Sequence, residues 1–225
     1  MQGKATNGIM ISLTTPNGPE VEGAFNQWYD EIHIPDILGT GLFNRALRYK
    51  AATPDAPQYM ALYEIANEDL SGTFNQLLSE VAKLREAGRM FTERKAFMLA
   101  AMKTRRTFEF RDPDQHDLTG LLAMGSNPKP AGTDDAFNDW YDNVHMEDIK
   151  DTRMYTVCHR FQTVDPQEGQ IQYINMYETD LKNVSEALTG LDNFRPGWVE
   201  RGRLYEGRDF LLRGAYQLMS VSGRD

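Results

Sequence analysis

The segment Ala24–Ile37, AFNQWYDEIHIPDI, returns as AFNDWYDNVHMEDI over Ala136–Ile149, so Phe-Asn-x-Trp-Tyr-Asp-x-x-His is written twice, 112 residues apart (Phe25 to Phe137). A long-range repeat of this kind constrains the chain to build one unit twice. The match spreads beyond the motif. GIMISLTTPNG (Gly8–Gly18) pairs with GLLAMGSNPK (Gly120–Lys129), and LFNRALRYK (Leu42–Lys50) with MYTVCHRFQ (Met154–Gln162). YMALYE (Tyr59–Glu64) pairs with YINMYE (Tyr173–Glu178), and EAGRMFTER (Glu86–Arg94) with ERGRLYEGR (Glu200–Arg208), now 114 apart. Small loop changes account for that drift.

Each unit reads as strand, helix, strand, strand, helix, strand. Phe25, Trp28, Tyr29 and Ile32 follow the i, i+3, i+4, i+7 spacing of one buried helix face. LFNRALRY and YMALYEIA flank the Pro-rich TPDAP and predict a hairpin. Phe74, Leu77, Leu78, Val81 and Leu84 share a face of a second helix that stops near Gly88. KTRRTFEFR closes the unit as a strand, and RDPDQHD (Arg111–Asp117) is the joint. The expected fold class is α+β: tandem ferredoxin-like βαββαβ repeats, 1–112 and 118–225, forming an intrachain pseudo-dimeric α+β barrel. A four-stranded sheet covered by helices on one face must bury its other face, and the second copy supplies a matching sheet.

Of 225 residues, 40% are hydrophobic and 11% aromatic, enough for a packed core, while the formal charge of −9 argues against nucleic-acid or acidic-membrane partners. Cys158 is the sole cysteine, which excludes an intrachain disulfide and a cysteine metal cluster. The N-terminal MQGKATNG is polar, with no signal peptide and no apolar run near 18 residues, so the expectation is a cytoplasmic protein. NFRPGWVERGRLYEG has no full equivalent in the first half and is expected either to loop over a pocket or to lie in solvent.

Core packing accounts for Phe25, Trp28 and Tyr29, with a ligand role as the alternative. His33 and His145 are less easily explained by packing, because a buried imidazole needs hydrogen-bond partners that Leu does not. Pro35 is expected to place His33 in the last turn of its helix, where unpaired carbonyls favour a cationic ring. Asp30 and Tyr29 lie three and four residues earlier, positioned to orient that ring and to touch a substrate. Glu147 replaces Pro35 in the second copy, so that helix is expected to continue and His145 to sit differently. Arg48 and Arg160 are either anchors for a substrate anion or ion-pair partners of the equally repeated Glu64 and Glu178.

WYDEIHIPDIL, followed by an aromatic strand pair ending YMALYE, resembles the EthD-like branch of the dimeric α+β barrel superfamily. The HIPD after an aromatic helix also resembles bacterial chalcone isomerase, a duplicated barrel of this kind. That resemblance implies that His33 is the acid–base group. Relatives in the superfamily include isomerases, lyases, cofactor-free monooxygenases and haem proteins, among which fold alone does not choose.

The expected function is therefore a cofactor-independent acid–base enzyme of isomerase or lyase type. It would act on a small apolar metabolite, aromatic or carbonyl-containing, with His33, Asp30 and Tyr29 catalytic. Trp28, Arg48, Tyr63, His145 and Tyr141 would bind substrate. No metal is expected, because HxH, HxxxH and HExxH spacings are missing from the sequence. The alternatives are a non-catalytic binder of hydrophobic ligands and a cofactor-free monooxygenase or haem protein. The partner is a small molecule, with neither nucleic acid nor membrane, and a homodimer is compatible with the sequence.

Overall fold

A computed structural model describes residues 6–223; the first five residues of the polar N-terminal stretch and the last two of the chain lie outside the described residues. The strands are β1 (Gly8–Pro16), β2 (Phe43–Ala51), β3 (Tyr59–Ile65), β4 (Arg94–Glu109), β5 (Gly120–Pro128), β6 (Val157–Thr163), β7 (Tyr173–Thr179) and β8 (Arg208–Gly223). The α-helices are α1 (Pro19–Trp28), α2 (Ile34–Gly39), α3 (Leu70–Glu86), α4 (Asp134–Trp140), α5 (Met146–Thr152) and α6 (Glu186–Glu200).

The eight strands close into one antiparallel barrel in the order β1-β3-β2-β8-β5-β7-β6-β4. Closure rests on the two 16-residue strands. β4 pairs with β1 through Lys103 and with β6 from Met102 onward. β8 likewise pairs with β5 in its first half and with β2 in its second. Each long strand thus joins the two halves of the chain, and no sheet edge runs the full length of the barrel.

Strand periodicity explains the layers. Ile9, Ile11 and Leu13 point into the barrel with Leu121, Phe161 and Tyr216, while Met10 between them faces the helices. Both faces of β1 and β5 are buried, so these strands read as continuous apolar runs rather than alternating ones. Two further cores lie between sheet and helices, one around Phe25, Tyr29 and Tyr63, the other around Phe137, Tyr141 and Tyr177.

Helix ends follow local chemistry. The Asp69 carboxylate caps α3 by accepting from the Gly72 N–H at 2.8 Å. Gly88 and Gly202, at φ of 68° and 63°, stop α3 and α6 in the left-handed region. The next N–H in each case, Arg89 or Arg203, donates back to Leu84 or Trp198 at 2.9 Å. Part of the expected loop, Asn193–Glu200, is instead the second half of α6, which carries Pro196 inside it.

Candidate functional site

The expectation that Pro35 ends the helix at His33 is not met. Tyr29–His33 forms a π turn and α2 follows at once, with Pro35 in its first turn where a missing N–H costs little. The second half makes the same π turn over Tyr141–His145, although Glu147 stands in place of Pro35. Proline is therefore not the cause, and His145 sits as His33 does. The π turn changes which residues meet. Five residues apart on an α-helix, Trp28 and His33 would lie about 140° apart. With i→i+5 bonding they stack, centroids 4.5 Å apart and planes 22° off parallel. Trp140 and His145 stack likewise at 4.7 Å and 17°. Tyr29 and Tyr141 meet their histidines edge-on at 4.9 and 5.2 Å.

The rest of the motif has structural work. Arg48 is 1% exposed. It donates to the Asp30 carboxylate and the Asn26 amide oxygen, each at 2.7 Å, and its guanidinium lies 4.4 Å from the Tyr29 ring centre. Arg160 repeats this with Asp142, Asn138 at 2.9 Å, and the Tyr141 ring at 4.6 Å. The carboxylates that pair with the two arginines therefore come from the helical motif, where the sequence had pointed to Glu64 and Glu178. Asp30 is turned toward Arg48 and is not the residue that orients His33. The indole N–H groups of Trp28 and Trp140 donate to the carbonyls of Arg89 and Arg203 at 2.7 and 2.8 Å. Those arginine side chains close the ring of contacts on Asp36 and Asp148, each at 2.6 Å. Asn, Trp, Tyr and Asp of the repeat are thereby explained as fasteners between helix and sheet.

His33 is the member that packing leaves over. Its Nδ1 is buried without a hydrogen-bond partner, as is the hydroxyl of Tyr63. Both line a cavity of about 80 Å³ together with Tyr29, Arg94, Met10 and Met98. Burial, reinforced by the Arg94 cation, drives the His33 pKa down to about 3, with Asp36 pulling weakly the other way. The ring is neutral at ordinary pH, opposite to the cationic ring expected of a helix end. Burial, with Tyr29 adding to it, raises the Tyr63 phenol well above its usual range, so it remains a hydrogen-bond donor. Arg94, whose side chain donates to the Phe91 carbonyl and lies 5.2 Å from the Trp28 ring centre, supplies positive charge to the same space. Sequence reasoning named Trp28, Tyr29, His33 and Tyr63 but missed Arg94. The signal was there: Arg94 and Arg208 fall at the repeat spacing of 114.

In the second half the corresponding histidine, 8% exposed against 9% for His33, packs against further rings and cations. Trp198 of α6 lies edge-on to His145 at 5.8 Å, and Arg208 stands 4.4 Å from the Trp140 ring centre. Burial and the cations Arg208, Arg160 and Arg203 hold His145 well below its ordinary pKa. Arg48, Tyr141 and His145, expected to bind substrate, are engaged here as fasteners or in aromatic packing.

Haem, admitted by the resemblance, does not fit at His33. A cavity of about 80 Å³ is smaller than the roughly 150 Å³ that accepts benzene, so a porphyrin has no slot there. Among the described residues no group of three or more His, Cys, Asp or Glu side chains is gathered to hold a metal ion, and no helix is long and apolar enough to cross a membrane.

Comparison with known proteins shows where this architecture recurs. A domain of unknown function (DUF4286) is matched over residues 9–104. Core atranone cluster (CAC) protein 1 of Stachybotrys chlorohalonatus is 37% identical over 70 residues, which span 30% of this chain and 29% of that protein's length. Among solved structures, an anthrone oxidase-like protein superposes with a TM-score of 0.59 at 14% identity, covering 99% of this chain and 95% of that one. The encapsulated DyP-type peroxidase of Mycobacterium smegmatis gives 0.60 at 9% identity, covering 98% and 93%. A chlorite dismutase variant of Candidatus Nitrospira defluvii gives 0.54 at 12%, covering 97% and 93%. At these identities the likeness is one of fold alone: a mixed α+β chain whose eight antiparallel strands close into a barrel.

Proposed function

We propose that the chain is an enzyme that removes a proton from an acidic C–H or O–H of a small apolar carbonyl compound, with His33 as the base. The observation that carries this reading is the buried, unpartnered Nδ1 of His33, held neutral in a cavity that also holds a phenol and a cation. With its proton on Nε2, the ring offers the Nδ1 lone pair to the substrate. The C–H bond breaks, the proton goes to Nδ1, and the electron pair moves onto the carbonyl oxygen as an enolate. Arg94 and the Tyr63 hydroxyl are the groups at hand to stabilise that oxyanion. Burial weakens His33 as a base, so the reading calls for an acidic substrate: a ketone whose enolate is aromatic, a 1,3-dicarbonyl or a phenol. Formation of an enolate beside the imidazolium offsets part of the cost of charging a buried ring.

The enolate has two fates. Reprotonation at another atom gives an isomerase. Capture by molecular oxygen gives a hydroperoxide, and loss of the second C–H proton with O–O cleavage leaves a ketone and water. The anthrone oxidase-like name of one fold neighbour favours the oxygen branch, and no comparison favours an isomerase or lyase. No cofactor is needed for either. The reading also takes 1–112 and 118–225 as tandem ferredoxin-like repeats of a pseudo-dimer in which only the first keeps an open site. It takes the chain as a cytoplasmic protein with a small-molecule partner. The test is anthrone with oxygen uptake followed in metal-free buffer. Uptake of one O₂ per anthrone that disappears in His33→Ala supports the oxygen branch. Turnover that requires added metal or flavin contradicts the reading.

A further inference from the structure

The His33 cavity is too small for the ring of an aromatic substrate: about 80 Å³, against roughly 150 Å³ for benzene. The remainder of such a molecule needs other space. A groove of about 840 Å³ opens at one mouth of the barrel, between the β2–β3 and β6–β7 hairpins. That volume lies within the roughly 300–1,000 Å³ of small-molecule sites. Its floor is barrel core, with Leu13, Ala100, Ile171 and Leu212, and its rim carries Phe97 and Leu211, each 49% exposed.

The groove and the cavity share three lining residues, Ala96, Met98 and Leu99 of β4. They lie on opposite faces of that strand, and the wall between them is thin for a stated reason. The β1–β4 register slips at Leu13/Thr14, which pair with Met98 and Ala96 and leave Phe97 as a bulge. The other edge of β4 meets β6 only from Met102 onward, so among the described residues the Ala96–Leu99 stretch is paired on one side alone. Met98 is unbranched and half-buried, a side chain that repacks at low cost.

We propose that groove and cavity are one site for a polycyclic, acidic ketone or phenol, its rings in the groove and its reacting edge passing β4 at Met98 to reach His33. This rests on the reading of His33 as the base, and binding separates the two claims. Anthrone, of three fused rings, is titrated calorimetrically into the wild-type chain and two groove variants. Leu211→Asp places a charge on the half-exposed rim, and Asp55→Trp fills the mouth from an exposed hairpin position. Neither residue borders the His33 cavity, and melting curves verify that both variants fold. The expected result is a loss of at least tenfold in anthrone affinity in both. His33→Ala should bind anthrone within threefold of wild type while losing turnover. Unchanged anthrone affinity in both groove variants, or no anthrone binding by the wild type, overturns the proposal. Groove-dependent binding without turnover would instead retain the groove and sink the base.

Discussion

Asp30 lies in the repeated motif beside His33, yet the structure gives it to Arg48, and the two assignments diverge under mutation. Asp30→Ala removes one of two 2.7 Å acceptors from a guanidinium that is 1% exposed. A hydrogen bond to a charged group contributes about 1.5–3 kcal/mol. The Asp30 side chain is 49% exposed, so solvent screening reduces this, and about 1–2 kcal/mol is expected. At this chain length each kcal/mol shifts the melting temperature by about 2–4 °C, giving a loss of about 2–8 °C. The second half provides an internal control. Asp142 is 20% exposed and serves Arg106 at 3.6 Å as well as Arg160. Asp142→Ala should therefore cost more, about 2–3 kcal/mol. Melting followed by circular dichroism reads both, and ligand binding per folded molecule should stay within threefold for Asp30→Ala. An Asp30→Ala chain that melts like wild type but has lost proton transfer would refute the fastener assignment and return Asp30 to the chemistry.

Three further outcomes are expected. The His33 pKa falls from 6.5 in the unfolded chain to about 3 in the folded one, so the unfolded state takes up the proton first on acidification. This contribution is full above pH 6.5 and declines toward pH 3, by up to about 5 kcal/mol. Urea titrations should show His33→Gln with a flatter dependence across that window, and an unaltered slope would mean the ring is not buried neutral. Trp28→Phe loses the indole N–H that donates to Arg89 at 2.7 Å and should cost about 1–2 kcal/mol, leaving an unpaired carbonyl. Equal stability would show the bond idle. The double Trp28→Ala, Trp140→Ala chain should lack a cooperative melt, since each buried indole is worth about 3–5 kcal/mol against a total of about 5–15; a normal melting curve would contradict it.

Much of the barrel was readable because its determinants are periodic and local. Strand runs, the TPDAP hairpin, the α3 face with its Gly88 stop, and the shared offset of 112–114 each follow from residue spacing. The site was less readable because its geometry depends on one extra residue per turn. An α-helical wheel puts Asp30 near His33 and separates Trp28 from it. The π turn reverses both relations, and no proline or glycine common to the two copies announces it. The direction of the histidine pKa was misjudged for the same reason: it assumed an exposed helix end, whereas α2 continues and the ring is sealed against Trp28. Arg94 was missed because its strand was expected to begin about nine residues later, at Lys103. The Asn193–Glu200 stretch, expected as a loop or solvent-exposed run because the first half has no full equivalent of it, is helical and carries Pro196 within α6.

The central claim is that His33, and not its twin, accepts a proton from carbon. The direct measurement is deuterium incorporation at the methylene of anthrone in D₂O under strict exclusion of oxygen, read by mass spectrometry for wild type, His33→Ala and His145→Ala. Absence of oxygen isolates the proton step from whatever follows it. Exchange well above the buffer rate in wild type and His145→Ala, falling to the buffer rate in a folded His33→Ala, is the predicted result. Exchange that persists without His33, or that vanishes in a folded His145→Ala, contradicts it.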